Sequence, residues 1–547
     1  MSDDKFDQQR LESTKSIDSR TKRPFSTGSE ETNEKHVPVS VSFGDAAQAI
    51  LGENTHQPMM VTAEENSRVL RKIDKWLLPI MLGVYFLQQL DKSTLSYASV
   101  FNLQTDAHLH GYEFSALGSI VYIAQLIWQP VSSFFLVRLP VGRWLAFNVL
   151  MWGIVLSCMT SALDFPRLLT ARFFLGIFEA TVAPTFVTIT AMWWRRREQT
   201  QRTSFWYAMN GVTTIFGSLM SYGLGHIKSP HLKPYQIIFL FTGLLTVVFS
   251  LFVFLIMPDS PTTARFLTTP QKIIAVERLR ANNMGTETKV WKWRQVKECL
   301  LDPKTYCWFL MAFLISIPSG GISTFGPLIT KSFGFDQLST ILLQMPFGAV
   351  QVLATVGAGY AATRFKLKSP ILVFLTLPPI AGAAALLHIP RGPTHRGGLL
   401  AAYYIISFYP AISPLIYTWS SQNTSGHSKK TLTTGILFIG QSAGNIVGPF
   451  LYTTAEAPLY HRGLTSSMAC FAALCAVVGA TAAYLAFLNR QQSKRREALG
   501  KSGSYIDTSL ETREDAEKMQ GQNGSRFGEK AFDDLTDRQN EDFIYVL

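Results

Sequence analysis

Arg172 and Glu179 stand seven residues apart in ARFFLGIFEATVAPTF (171–186), a stretch otherwise apolar enough to lie in lipid. A charged side chain at the centre of a bilayer costs about 2.5–3.5 kcal/mol on insertion scales and more in simulations, so such charges are functional candidates by default. Seven residues at about 100° each return to within about 20° of the same helix face, about 10.5 Å further along the axis. Gly176 lies between them on nearly the same face. The face thus offers a cation, a gap and a carboxyl group. The gap can admit a neighbouring helix or a substrate carboxylate. Arginine suits a carboxylate because its planar fork donates two parallel hydrogen bonds. Glu179 is the candidate proton carrier: burial favours the neutral carboxyl and a nearby Arg favours the charged one. A substrate that occupies Arg172 takes away that counter-charge, so proton and anion favour each other's binding, which is the thermodynamic content of symport. The rival reading is that both charges pair with other helices and only hold a bundle together.

Asp91 and Lys92 form a second charged pair, in LQQLDKST. Adjacent residues on a helix point about 100° apart, so both cannot face one cavity equally. One reading has Lys92 attracting the anion while Asp91 takes part in proton coupling. The other has Lys92 snorkelling to the interface and Asp91 packing between helices. Asn210, Asn445, Gln125 and Tyr417 are further candidates for hydrogen bonds to substrate; for Asn210, Gln441 and Asn445, bonds between helices are the competing use. LISIPSGGISTFGPLI (314–329) holds Pro318, Gly320, Gly321, Gly326 and Pro327, and a break is expected there. A broken helix would offer backbone N–H groups to an anion, or serve as a hinge. Gly217, Ser221 and Gly225, and likewise Gly440, Gly444 and Gly448, make small-residue stripes that let helices approach closely and are expected to let one half rock on the other.

These residues need helices in lipid to position them. The chain has 547 residues, 47% hydrophobic and 16% charged, with a net charge of +12. Apolar runs of about 20 residues recur, each able to cross a ~30 Å hydrocarbon core. They lie near 76–98, 114–136, 145–163, 167–192, 203–226, 235–257, 305–330, 338–362, 370–389, 398–419, 432–453 and 465–488. The expected organisation is a disordered N-tail (1–66), a six-helix half (67–257), a charged central loop (258–304), a second six-helix half (305–488) and a C-tail (489–547). The N-tail is polar throughout, with no signal peptide, so the first span should act as its own insertion signal. Lys and Arg concentrate in one set of loops, among them Arg195–Arg197, Arg364, Lys366 and Lys368, which places both termini in the cytosol. The sequons at Asn423 and Asn523 would then never meet the glycosylation machinery. Trp193 and Trp194 read as interface anchors.

The basic residues flank apolar runs, so the positive charge is a topology signal and no nucleic-acid partner is expected. No GxxxxGK[ST] loop supports ATP-driven pumping. Cys158, Cys299, Cys307, Cys470 and Cys475 show no ligand spacing; no metal, cofactor or disulfide framework is expected, and no triad-like set suggests an enzyme.

Six plus six spans around a basic loop is the layout of a major facilitator, whose substrate site lies between the halves at mid-depth. Longer stretches sharpen this: LDKSTLSYASVF (90–101), RFFLGIFEATVAP (172–184), MPDSPTTARFLT (257–268), GGISTFGPLITKSFGFD (320–336), LLQMPFGAVQ (342–351), GHSKKT (426–431), GNIVGPFLY (444–452) and DLTDRQNEDFIYVL (534–547). As an ordered set they resemble the fungal allantoate permease family of anion:cation symporters, from about Lys72 to Leu488 plus the last residues. Two departures stand out. The loops VRLPVGRW (137–144) and ATRFKLKS (362–369) lack the Asp that major facilitators often carry there, and Lys92 stands where many relatives have Arg. The resemblance implies a monomeric multi-pass protein of the plasma membrane that imports a small organic anion, such as allantoate, nicotinate, pantothenate or a related carboxylate, with protons. An exporter of the same fold and a nutrient-sensing transceptor are the rival expectations.

Overall fold

The computed structural model describes residues 61–101, 103–110, 113–227, 229–280, 291–335, 337–452, 456, 458–500 and 534–547. Most of the expected N-tail, Lys228 and the sequon at Asn523 lie outside the described residues, as do parts of the central loop and C-tail. The described residues form helices joined by short turns, with no strand among them.

Helix α1 runs Ala63–Val100 and starts earlier than its apolar run because Thr62 and Glu65 make a reciprocal capping box. There follow α2 (Glu113–Arg138), α3 (Val141–Cys158), α4 (Phe165–Glu179), α5 (Val182–Trp193), α6 (Arg196–Gly225) and α7 (Pro234–Ile256). The central segment contributes α8 (Thr269–Arg280) and α9 (Trp293–Leu301). The second half holds α10 (Pro303–Lys331), α11 (Gln344–Phe365), α12 (Ser369–His388), α13 (Arg396–Ile406), α14 (Ile412–Gln422), α15 (His427–Phe450) and α16 (His461–Ala498). With α4–α5 and α13–α14 each counted as one broken span, the twelve expected spans are present.

Nine of these units are long and apolar enough to cross a bilayer on composition alone. The long helices outside that set are α1, α6 and α15, which bury polar residues such as Gln88, Asp91, Ser204, Thr433 and Asn445 in the interior of the bundle. A helix that faces a polar cavity inside lipid must look less apolar than one wrapped in hydrocarbon.

Prolines decide where spans break, but not where the sequence suggested. A proline has no N–H and crowds the carbonyl four residues before it. The α4–α5 break at Ala180–Thr181 lies three to four residues before Pro184, the gap ahead of α11 at Leu343 lies three before Pro346, and the α13–α14 break includes Pro410, four before Pro414. By contrast α10 is one continuous helix through Pro318 and Pro327. Its glycines serve close packing instead: a Cβ at Gly320 would lie 3.0 Å from the Asn445 carbonyl oxygen, and one at Gly321 would lie 2.3 Å from the Tyr452 ring.

The small-residue stripes also have a different use from the expected one. Cβ atoms at Gly440, Gly444 and Gly448 would sit 2.5, 2.4 and 2.4 Å from the carbonyl oxygens of Phe309, Phe313 and Ile317. This seam joins α15 to α10 within the second half. Gly217 and Gly225 face Tyr97 and Phe101, within the first half. The halves meet elsewhere: Gly211 on α6 and Gly348 on α11 each face the other's carbonyl oxygen, and Gly359 faces Ser204. Gly444→Val should therefore cost stability in the overpacking range of about 1–3 kcal/mol or more. Gly479→Ala, with nothing within 4 Å of the new methyl, should be neutral. Size-exclusion profiles after heating in detergent compare the two; equal survival would show that the seam can give way.

Two loop features complete the frame. The carboxylate missing from the 137–144 loop is supplied from a distance: Asp259, just after α7, accepts from the Gly142 and Arg143 N–H groups at 3.0 and 3.3 Å and pairs with the Arg143 guanidinium at 3.5 Å. Trp193 and Trp194 are not interface anchors. Both are fully buried; Trp193 stacks on Phe266, and Trp194 Nε1 donates to Asp74 at 2.8 Å.

Candidate functional site

A cavity of about 210 Å³ lies between the two halves, walled by α1, α2, α4 and α6 on one side and by α10, α11, α13 and α15 on the other. It reaches toward the end of the bundle where α1 finishes and α2 begins, through Ser96, Tyr97 and Phe114. Of the eight candidate substrate and coupling residues, Lys92, Arg172, Asn210 and Asn445 line it, and so do Gln441 and Pro327. Gln125, Tyr417, Glu179 and Asp91 do not.

Arg172 is buried on α4 and faces the cavity with its fork partly unspent. Its Nε donates to the Leu117 carbonyl at 2.7 Å, while the buried Nη1 has no hydrogen-bond partner among the described residues. Leaving a buried charged donor unmade is costly, so it marks a place where a ligand acceptor would be welcome. The gap at Gly176 is filled by protein: a Cβ there would lie 2.4 Å from the Val121 carbonyl oxygen. Close packing of α4 on α2 is what brings Arg172 to Leu117.

Glu179 ends α4, at the turn ahead of α5, and is 1% exposed. No ion pair within 4 Å joins it to Arg172. Its cation is Lys92, with Nζ 3.7 Å from Oε2. Gln125 Nε2 donates to the same oxygen at 3.4 Å, and Oε1 is buried without a partner. The break after Glu179 also frees its main-chain carbonyl, which accepts from Gln88 Nε2 at 3.3 Å. Lys92 therefore stands between the cavity and the carboxylate, with its ammonium 5.8 Å from the centre of the Tyr122 ring. Gln125 touches Glu179 from behind.

Asp91 points elsewhere, as the turn of one residue along a helix requires. It is fully buried, accepts a short hydrogen bond from Trp152 Nε1 on α3 and another at 3.4 Å from Thr246 Oγ1 on α7. This ties three helices of the first half together, away from the cavity.

Tyr417 lies beneath the cavity rather than in its wall. Its hydroxyl donates to Gln441 Oε1 at 2.9 Å, and its ring meets Trp206, Tyr207 and Phe438 with centroids 6.4, 5.8 and 5.1 Å apart. Trp206 and Tyr207 come from α6, so this aromatic layer closes the two halves across the cavity floor. Asn210 donates to the Tyr207 carbonyl at 3.1 Å and to the Tyr85 hydroxyl at 3.4 Å; Asn445 donates to the Gln441 carbonyl at 2.9 Å.

Sequence reasoning missed several lining residues. Gln351 is buried and lines the cavity with an Oε1 that has no partner. Gln344 joins Tyr403 and Thr330 at 3.0 and 3.1 Å. Both glutamines lie in LLQMPFGAVQ, where two uncharged amides in an apolar run were the available signal. Tyr85, Tyr207 and Tyr409 gave no such signal, because a tyrosine in a membrane helix is equally at home in packing.

Among the described residues no group of three His, Cys, Asp or Glu side chains is arranged to hold a metal ion. What the cavity offers is two cations and a ring of amides and hydroxyls between two helical halves, with the Glu179 carboxylate just behind Lys92. That suits recognition of a small polar solute.

Comparison with known proteins agrees with this geometry. The sequence profile of the Major Facilitator Superfamily matches residues 81–449. The allantoate permease of Saccharomyces cerevisiae is 30% identical over 500 residues, covering 89% of this chain and 88% of the permease. A thiamine pathway transporter of the same yeast is 32% identical over 484 residues, 88% of this chain and 87% of that one. An uncharacterized transporter of Schizosaccharomyces pombe is 34% identical over 513 residues, 93% of each chain. Among solved structures, a proton:xylose symporter shares the fold with a TM-score of 0.59 at 13% identity, covering 76% of this chain and 95% of its own. The chain is a multi-pass membrane transporter of the Major Facilitator Superfamily, in the fungal allantoate permease family, and not an enzyme.

Proposed function

We propose that this transporter carries a small organic anion, a carboxylate, into the cell together with protons, across the plasma membrane and by alternating access. The observation that carries the reading is the pair of cations in the cavity wall: Arg172 with an unspent buried donor, and Lys92 leaning on Glu179 at 3.7 Å. A carboxylate between them takes hydrogen bonds from Arg172 and competes with Glu179 for Lys92. Once Lys92 turns to the substrate, Glu179 is a carboxylate in a buried site without its cation, and binding a proton relieves that. The same competition returns the proton when the anion leaves. In this reading Arg172 binds the anion and Glu179 carries the proton, with Lys92 as the link between them. Asn210, Asn445 and Gln351 supply polar contacts around the anion, and the layer of Tyr417, Trp206 and Tyr207 is the inner gate. Lys and Arg placement puts the central segment and the 534–547 segment on the cytosolic side. The name of the allantoate permease relative supports a carboxylate as cargo.

Energetics support the proton. Importing one monovalent anion against 100 mV, interior negative, costs about 2.3 kcal/mol, and one proton cancels that charge. The test is cytosolic pH in cells making the protein while a panel of small carboxylates is added outside, with weak-acid diffusion subtracted using cells that lack it. Acidification by one compound is the expected result. No response across the panel, with the protein at the surface, would overturn the reading in favour of efflux.

A further inference from the structure

The segment Asp534–Leu547 is neither helix nor strand, yet much of it is buried: Phe543, Tyr545 and Val546 are 1%, 2% and 3% exposed, and Thr536 and Asp537 are fully covered. A polar, irregular stretch of backbone buries itself only where its N–H and C=O groups find partners. Here side chains of the body supply them. Asn489 on α16 accepts from the Tyr545 N–H at 2.9 Å and donates to the Tyr545 carbonyl at 2.8 Å. Asn423, just after α14, does the same for Val546 at 2.8 and 3.0 Å, and Trp419 Nε1 adds a second donor to that carbonyl at 2.7 Å. Asn423, expected to escape glycosylation by topology, is fully buried in this seat.

Charge fixes the other end of the segment. Asp537 pairs with the buried ammonium groups of Lys304 and of Lys429, the latter at 2.8 Å, and accepts from the Tyr545 hydroxyl at 2.9 Å. Burial alone would push the Asp537 carboxyl up, but Lys304 and Lys429 outweigh it and hold the group well below the usual carboxylate range. A depressed carboxyl loses its stabilising contribution only as pH falls through that low value, so the segment stays charged and seated at any cytosolic pH.

All these anchors belong to the second half. The link to the first half runs through Arg196, the opening residue of α6. Its guanidinium lies 4.8 Å from the centre of the Phe543 ring, donates to the Ile544 carbonyl at 3.4 Å and also donates to the Gln422 carbonyl. Gln422 Nε2 donates back to the Arg196 carbonyl at 2.5 Å, while Lys368 holds the Gln422 side-chain oxygen. At this end Arg196 thus joins the first half to both α14 and the 534–547 segment. It lies at the end opposite the one the cavity reaches.

We propose that residues 534–547 are a strap docked on the second half that clamps Arg196 and so holds the bundle closed at the end read as cytosolic. Opening to that end requires the halves to part there. The strap biases the two-state equilibrium toward closure. It acts as a brake built from the chain itself, and anything that draws the segment from its seat would speed opening to the cytosol. This rests on the two-half fold and not on which solute is carried.

The test reads conformation without solute. Leu139→Cys and Leu367→Cys put spin labels on exposed positions of the two halves at the strapped end, with the five native cysteines replaced. In the full chain in liposomes, a single short distance between labels is expected. Phe543→Ala, which removes the ring under Arg196, should raise the ratio of long to short distances by about tenfold, as loss of a desolvated cation–π contact would. Phe543→Tyr should leave it unchanged. Deletion of 534–547 should make the long distance dominant, and a peptide of those residues added back should restore the short one. Unchanged distances in Phe543→Ala would overturn the proposal, as would a deletion form that stays closed. Should the deletion form not fold, the Phe543 pair decides alone.

Discussion

Glu179→Gln should leave a transporter that exchanges its anion but no longer concentrates it. The substitution keeps the size of the side chain and its contact with Gln125, and it removes the charge that Lys92 now faces at 3.7 Å. Lys92 loses its intramolecular competitor, so the anion should bind at least as well as before. What is lost is the site that takes up a proton when the anion arrives. An uncoupled monovalent anion then follows the membrane potential. Since 100 mV corresponds to about 2.3 kcal/mol per charge, it would settle about 50-fold lower inside than outside. Counterflow between labelled and unlabelled solute should persist, because exchange needs no net proton movement. The paired measurement is accumulation and cytosolic acidification on one side, counterflow on the other. Full concentrative uptake with normal acidification would remove Glu179 from the coupling role. Loss of counterflow together with accumulation would show instead that the carboxylate holds the site's shape.

Which of these features the residues announce, and which they hide, follows from the range of the interaction involved. Nine spans are legible because a helix in lipid must be apolar along its own length, a condition local to each segment; α1, α6 and α15 show apolar runs interrupted by the polar residues they turn inward. Arg172 and Glu179 are legible because a charge in such a run is conspicuous. The divergence of Asp91 and Lys92 is legible too, since it needs only helix geometry. The partnership of Lys92 with Glu179 is not. The two lie far apart in the chain, and only the packing of α1 beside α4 selects Lys92 over Arg172 as the cation that reaches the carboxylate. Glycine stripes show the same limit: residue type tells that a close approach occurs, but Gly444 could not say that its neighbour would be Phe313 rather than a helix of the other half. Pro318 and Pro327 mislead because a long, well-packed helix can absorb a proline, whereas the chain breaks at Ala180–Thr181, a turn ahead of Pro184. The 534–547 segment is the least legible. By composition it belongs in water, and its burial depends on asparagines and lysines on other helices.

Arg172→Lys should raise the KM for the anion by about 10- to 100-fold, the range expected for a charge-assisted hydrogen bond lost from a buried site. The arginine does two things at once. Nε holds the Leu117 carbonyl at 2.7 Å and so sets the direction of the fork, and Nη1 is left to meet a ligand. A lysine has one nitrogen at the end of a flexible stem. Its three N–H donors radiate from one atom, so it cannot hold the Leu117 carbonyl and also present two parallel donors to a carboxylate. The number of protons moved per solute should stay as in the parent, because Lys92 and Glu179 are untouched. That combination, a weaker KM at constant stoichiometry, separates the residue's role from that of Glu179. It also separates binding from packing. If Arg172 served only to tie α4 to α2 through Leu117, the lysine form would reach the surface in smaller amount, yet each molecule there would show the parent's KM. Uptake kinetics normalised to surface protein, with acidification recorded in the same cells, distinguish the two, and an unchanged KM would move the anion's main contact to Lys92 and the amides of α11 and α15.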